Sequence, residues 1–309
     1  MTDYNLPAVY HRLWTTAHEP ILELASGDSI TFDLVEAGDG QFSPASTVAD
    51  IEGFDWDRLY PLAGPIIGAG AQPGDVVEVE FLELQNATWG WTSVLPGFGL
   101  LSDDFPDPYL YLWDLPSSGA ADFLGVASVP LRPFCGVVGV CPDTEEGLSL
   151  IPPGHFGGNL DCRDLTVGSK LYLPVQVPGA RLVLGDPHAA QGDGEVCVSA
   201  IEASLHGSAR IRLHKGHPIQ APRFETTGPL RAGIDDLGYY ATMGVAPDLM
   251  VSASDAIRAM IDYLTTTYDL EPVEAYVLCS VVVDLRISEV VDAPNWVVTA
   301  YLPRSVMNH

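Results

Sequence analysis

Between Pro153 and Glu202 the 309-residue chain sets two polar clusters among glycines: His155, Asn159, Asp161 and Asp164, then Asp186, His188, Gln191, Asp193 and Glu195. Asp186 and His188, one residue apart, can bring a carboxylate and an imidazole to one metal ion, and Asp161 can add a third ligand. Two or three N/O ligands with an open position are what a catalytic zinc needs to lower the pKa of its water to about 7. The same D-x-H spacing equally suits a turn-capping aspartate followed by a hydrogen-bonded core histidine. Gln191, Asp193 and Glu195 fall two apart, so a strand here would put them on one face with Gly192 and Gly194 on the other. That pattern suits a pocket floor, with Glu195 as candidate general acid/base. The acidic run could also be a calcium loop, but the twelve-residue EF-hand spacing is not met. Cys162, flanked by Asp161 and His155, offers a cysteine nucleophile as a further alternative. A D-C-R-D turn, however, buries a thiol more readily than it activates one. Other chemistries lack their signatures: there is no G-x-S-x-G elbow, no P-loop, no dinucleotide fingerprint and no H-E-x-x-H.

The apolar runs Leu171–Val177 and Arg181–Leu184, joined by Pro178-Gly179, read as an antiparallel pair. Such a pair would project both clusters from one end and let Asp161 approach His188. Strand–turn–strand text recurs over Pro20–Leu34, around Ser26-Gly27-Asp28, and over Pro61–Leu84, around Pro73-Gly74-Asp75. In the second, Val77, Val79 and Phe81 alternate with glutamates, the mark of a strand with one wet face. Pro133–Pro142 reads as a buried strand, and Val196–Leu205 and Ser208–Leu213 as two more, with Pro218–Pro229 a loop. Segment 86–123 has no period but carries Trp89, Trp91, Phe98, Tyr109, Tyr111 and Trp113, which suit core packing or the wall of a pocket. One helix stands out, Ala253–Tyr268, with Ile257, Met260, Ile261 and Leu264 on one face and Ser252/Asp255 as its capping box. Glu274–Ser280 either starts a second helix or leads straight into a strand at Val281–Leu285, and Val290–Leu302 supplies the closing strands. The expected fold is therefore mainly β or α+β: sandwich- or barrel-like antiparallel sheets, with a late helix packed on a C-terminal sheet. No linker divides the chain. The reading is one unit over 1–309, or two intertwined sub-domains, 1–230 β-rich and 231–309 α+β.

Composition narrows the partners. The net charge is −27, from 14 basic and 41 acidic residues, with Lys170 and Lys215 the only lysines. Such a surface repels phosphate backbones and anionic lipid, which argues against nucleic-acid and membrane partners and leaves a neutral or cationic small molecule. No apolar stretch reaches the ~18 residues of a membrane span, and the N-terminus lacks a signal-peptide pattern, so the expected location is the cytoplasm. Five cysteines without a C-x-x-C pair argue against a zinc finger or a disulfide framework.

The segments GGNLD (157–161), DLTVGSKLYLPVQVPGA (164–180) and GDPHAAQGDGEVC (185–197) resemble the acetamidase/formamidase family of amide hydrolases. The resemblance extends to GPIIGAGAQPGDVVEVEFLEL (64–84), PFCGVVGVCP (133–142) and the C-terminal stretch 255–292. Its polar positions Asn159, Asp161, Asp186, His188, Gln191, Asp193 and Glu195 are all present. The resemblance implies hydrolysis of a small aliphatic amide of the formamide or acetamide type to ammonia and a carboxylic acid. It also implies a mostly β fold, homo-oligomers, and a divalent metal at Asp161, Asp186 and His188, zinc in the first instance, with calcium or another cation as alternatives. Glu195 would then pass a proton to the poor amine leaving group, while Asn159 and Gln191 orient the amide. The competing class is a non-catalytic β-sandwich protein that binds a small amide or a metal without turnover.

Overall fold

The structure, a computed structural model, describes residues 2–227, 237–291 and 293–308. Two six-stranded sheets form its larger part. The first runs Asp3–Asn5, Ser29–Leu34, Leu205–His214, Val76–Asn86, Lys170–Pro174, Arg223–Glu225. The second runs Gly157–Asn159, Phe134–Val140, Leu182–His188, Leu62–Gly68, Tyr10–His11, with Leu22–Leu24 also paired to Leu62–Gly68. Ile30, Phe32, Val79 and Phe81 of the first sheet and Ile66, Val138, Leu182 and Leu184 of the second share one core. The alternation of Val77, Val79 and Phe81 delivers these side chains inward, each 2% exposed or less.

The turn signals hold, but the strands they join pair differently from the expectation. Lys170–Pro174 lies in the first sheet against Val76–Asn86, whereas Leu182–His188 lies in the second against Phe134–Val140. The Pro178-Gly179 turn therefore carries the chain across the sandwich instead of closing a hairpin. Ser26-Gly27-Asp28 and Pro73-Gly74-Asp75 do the same, linking Leu22–Leu24 to Ser29–Leu34 and Leu62–Gly68 to Val76–Asn86. The physical reason is that both strands of each pair carry apolar inward residues, and facing sheets bury both sets against each other. Asp28 and Asp75 fix these crossings by accepting backbone N–H groups from Ala25 and Gln72.

The C-terminal part is a three-stranded sheet, Tyr239–Ala246, Trp296–Pro303 and Asp284–Glu289 in that order, with two helices. Helix α1, Leu249–Tyr268, starts four residues before the expected Ala253 because Asp248, not Ser252, caps it by accepting from the N–H groups of Met250 and Val251. Ser252 is buried instead and donates its hydroxyl to Trp296 O at 3.0 Å. The α1 face of Ile257, Met260, Ile261 and Leu264 is buried as its period requires. Helix α2, Pro272–Val282, settles the open reading of Glu274–Ser280, with Pro272 in its first turn and Glu271 and Glu274 making its capping box. One core joins Ile257, Tyr276 and Leu302 of this part to Val94, Trp113, Phe123 and Ile201. The expected boundary at 230/231 and the end of the expected loop Pro218–Pro229 lie outside the described residues.

Candidate active site

His188 ends the strand Leu182–His188, opposite Phe134 of Phe134–Val140, whose ring meets the imidazole edge-on at 5.0 Å. Its Nε2 lies 3.3 Å from Asp186 Oδ1 and 3.1 Å from Glu202 Oε2, and its Nδ1 lies 4.0 Å from Asp161 Oδ1. His188, Asp186 and Glu202 are almost wholly buried. Ligand atoms of Asp161, Asp186 and His188 all fall within 4.8 Å of one another, and so do those of His188, Glu195 and Glu202. His188 is thus shared by two triads.

Asp161 reaches His188 by a different route from the expected hairpin. The short strand Gly157–Asn159 pairs with Phe134–Val140, which in turn pairs with Leu182–His188. Asp161, two residues past that short strand, donates its N–H to Gly136 O at 3.2 Å and so reaches across the central strand toward His188. Gly136 makes this crossing possible. A Cβ there would meet Asp161 Oδ1 at 2.6 Å, Asp186 Oδ2 at 2.8 Å and His188 Cε1 at 2.8 Å. Asp161, Asp186 and Glu195 all have positive φ, at 43°, 52° and 42°. Three carboxylates on left-handed backbone around one histidine is local strain gathered where the side chains converge.

Glu202 was not among the residues singled out from sequence. It is the lone acid of the apolar run Val196–Leu205, and a carboxylate inside such a run was its one available signal. The run is not a strand: the strand starts at Leu205, and Glu202 bridges by backbone to His188 on one side and Trp91 on the other. Its Oε1 accepts from Ala200 N–H at 3.0 Å while Oε2 faces His188.

No strand begins at Gly194-Glu195-Val196, where the chain makes turns instead, so the shared face for Gln191, Asp193 and Glu195 that such a strand would give does not form. Glu195 joins the His188 cluster. Asp193 instead meets Arg163 Nε at 3.1 Å, the same arginine whose Nη1 holds Asp284 at 2.7 Å. Gln191 donates from Nε2 to Asp161 O at 2.7 Å and so fixes the backbone of that acid. Asn159 donates to Ile151 O at 3.1 Å. Cys162 packs against the sandwich core, and burial pushes its thiol up; His155 is exposed and lines a groove with Asp75 and Gln176. The pairing a cysteine nucleophile requires does not form.

Charge at the cluster is set by burial and crowding. Burial, then the charge of Asp186, pushes Asp161 up to about 7. Burial, then Asp161, holds Glu195 well above the usual carboxylate range, and burial also raises Glu202. Burial opposes the charged form of His188, but Glu202 and Asp186 outweigh it and hold the imidazole well above its usual value. Tyr60, another residue sequence reading missed, is kept protonated by burial and by Asp186 and Glu195.

Among the described residues, Asp161 Oδ1, Asp186 Oδ1, His188 Nδ1 and Glu202 Oε2 are buried without a well-formed hydrogen bond. Buried polar atoms are seldom left so. Several converging on one point, on a donor set of one imidazole and carboxylates, fit a divalent cation.

A β sandwich whose acids and one histidine converge over Gly136 of the strand Phe134–Val140 defines the class. The profile of the Acetamidase/Formamidase family matches residues 4–146 and 144–309, and the chain belongs to that family. It is 25% identical over 367 residues to a formamidase of Methylophilus methylotrophus, covering 96% of this chain and 89% of that protein. It is 26% identical to an acetamidase of Mycolicibacterium smegmatis over 70% of this chain and 68% of the relative. Among solved structures it resembles a gamma lactamase from Delftia acidovorans, with TM-score 0.92 at 23% identity over 98% of this chain and 90% of that one, a likeness of fold. It also resembles a predicted acetamidase/formamidase of Thermoanaerobacter tengcongensis, with TM-score 0.70 at 28% identity over 98% and 96% of the two chains. Among the described residues, no helix is long and apolar enough to cross a membrane.

Proposed function

We propose that this protein is an amidohydrolase that cleaves the C–N bond of a primary aliphatic amide, in the manner the names of its formamidase and acetamidase relatives describe. Water adds to the carbonyl carbon, the C–N bond breaks, and the products are a carboxylic acid and ammonia. Asp161, Asp186 and His188 would hold a divalent cation, zinc in the first instance, with Glu202 beside them. Such a cation supplies positive charge that polarises the carbonyl and acidifies water. Glu195, in the same cluster, moves a proton to the leaving nitrogen, without which an amine anion would have to depart. Tyr60, held protonated by burial and by the charges of these carboxylates, is a further O–H donor near the cluster. Gln191 acts through Asp161, whose backbone it ties down. The strongest support is the set of buried atoms around His188 that lack a well-formed hydrogen bond, since a purely structural cluster would satisfy them internally. The substrate is a small neutral molecule, consistent with the net charge of −27. A homo-oligomer is part of this reading; Met243 and Val245, 63% and 59% exposed on the C-terminal sheet, are apolar side chains a second copy would cover.

The test is ammonia release from formamide, acetamide, propionamide and urea before and after prolonged chelation. Release that disappears with the chelator and returns with Zn²⁺ supports both the activity and the cation. Release indifferent to chelation keeps the amidase and removes the cation. Saturable binding of an amide without ammonia would favour the non-catalytic alternative.

A further inference from the structure

We propose that the acyl side of the amide is a bulky apolar group, branched, alicyclic or aromatic, held in the cavity that opens beside Glu202. This rests on the amidohydrolase reading above and widens its substrate from a small aliphatic amide to one with a larger apolar acyl group. The enclosed part of the cavity measures about 60 Å³, below the roughly 150 Å³ that holds a benzene ring, so a bulky acyl group would also fill the open mouth. Phe42, Phe54, Tyr60 and Trp91 form its walls, Trp56 and Phe98 its mouth, and Glu202 with Ser93 and Ser199 its polar end. The cavity therefore leads to the carboxylate that touches His188.

The aromatic walls are fixed in place. Trp91 donates its indole N–H to Glu36 Oε2 at 2.9 Å, and the same buried carboxylate accepts the N–H groups of Gly38 and Gly40 at 2.6 Å each. The one polar atom of the indole is thereby committed, and an apolar ring face is left to the cavity. Phe42 packs edge-on against Trp91 with ring centroids at 5.0 Å. At the mouth, Trp56 and Phe98 stack with centroids 5.5 Å apart, yet remain 47% and 44% exposed. Paired large apolar side chains left open to solvent at the entrance of a ring-lined cavity mark a surface that an apolar ligand covers. Among the described lining residues Glu202 is the single charged one, so an anionic acyl chain is disfavoured. Formamide has no carbon beyond its carbonyl and acetamide only a methyl group, and neither would touch these walls.

The experiment is kcat/KM for formamide, acetamide, cyclohexanecarboxamide and benzamide, read as ammonia release, in the full-length protein and in Trp56→Ala and Phe98→Ala. Both substitutions are at exposed positions and leave the core intact. The ring amides should exceed acetamide by at least about 10-fold, and each variant should lower the ring-amide-to-acetamide ratio by about 10-fold, chiefly through KM. Acetamide or formamide turned over as well as the ring amides, or variants that leave the ratio unchanged, overturns the acyl-group proposal while the amidohydrolase reading stands. No ammonia from any of the four amides overturns both.

Discussion

Gly136 lies directly beneath Asp161: a Cβ at position 136 would stand 2.6 Å from Asp161 Oδ1. The same Cβ would crowd Asp186 and His188, so one added methyl group presses on three members of the site at once. In Gly136→Ala the side chains must withdraw, since the strand Phe134–Val140 is paired on both edges and cannot. A displacement of reacting groups by about 1 Å costs on the order of 10²-fold in rate. We expect that loss in kcat/KM, with a stability loss of about 1–3 kcal/mol for overpacking. Wild-type turnover in Gly136→Ala would mean that Asp161 and His188 need not converge.

Glu202 and Asp193 separate two views of the acids. Glu202 Oε2 is buried 3.1 Å from His188 Nε2, whereas Asp193 faces Arg163 and is 37% exposed. Glu202→Gln keeps the shape and removes the charge, and should cost about 10–100-fold in activity, the usual effect of losing a partner that orients a histidine ligand. Asp193→Asn weakens a partly exposed ion pair worth about 0–1 kcal/mol, and should change kcat/KM by less than about 5-fold. The reverse ranking would give the catalytic role to Asp193.

For Glu195 the expected loss lies in turnover. Glu195→Gln cannot deliver a proton to the leaving nitrogen, and kcat should fall by about 10²–10⁴-fold with a smaller change in KM. Steady-state kinetics on one amide settles it. A KM rise at constant kcat would recast Glu195 as a binding residue.

Sequence reading finds side chains that converge and the wrong path between them. Asp161, Asp186, His188 and Glu195 stand out because charged residues among glycines are visible as residue types, and these four do converge. Turns at Pro178-Gly179 and Pro73-Gly74-Asp75 are also legible, since Pro and Gly act locally. Whether the flanking strands pair or face each other depends on which distant strands lie between them, and a hairpin and a sandwich crossing share one local pattern. Glu202 stays hidden for the same reason. Its importance comes from backbone bridges to Trp91 and His188, which are remote in sequence. Gly136 reads as one of several glycines in a buried strand until Asp161 is seen to cross it. The aromatic segment divides between roles, Trp113 in the core and Trp91 and Phe98 at the cavity, because position in the sheet and not residue type decides it.

The outer face of the first sheet ties stability to pH. Glu78, buried on the strand Val76–Asn86, receives Arg212 Nη1 on Oε1 at 2.6 Å and His214 Nε2 on Oε2 at 2.6 Å, both from the neighbouring strand Leu205–His214. Burial raises its pKa, but the hydrogen bonds from His214 and Arg212 outweigh that and hold it below its ordinary 4.5. A carboxyl that binds its proton less readily when folded adds stability fully above its unfolded pKa, and loses it as pH falls through the folded value. The wild-type Tm should therefore decline on acidification below about pH 4.5, and Glu78→Gln should flatten this part of the curve while lowering Tm at neutral pH. The amide can still accept one of the two hydrogen bonds, so the protein should remain folded. Thermal melts of both forms from about pH 7 to pH 3 check the prediction. An acid limb as steep in Glu78→Gln as in wild type would place the acid sensitivity in other carboxylates held below their ordinary value, with Asp75, which accepts from Lys215, first among them.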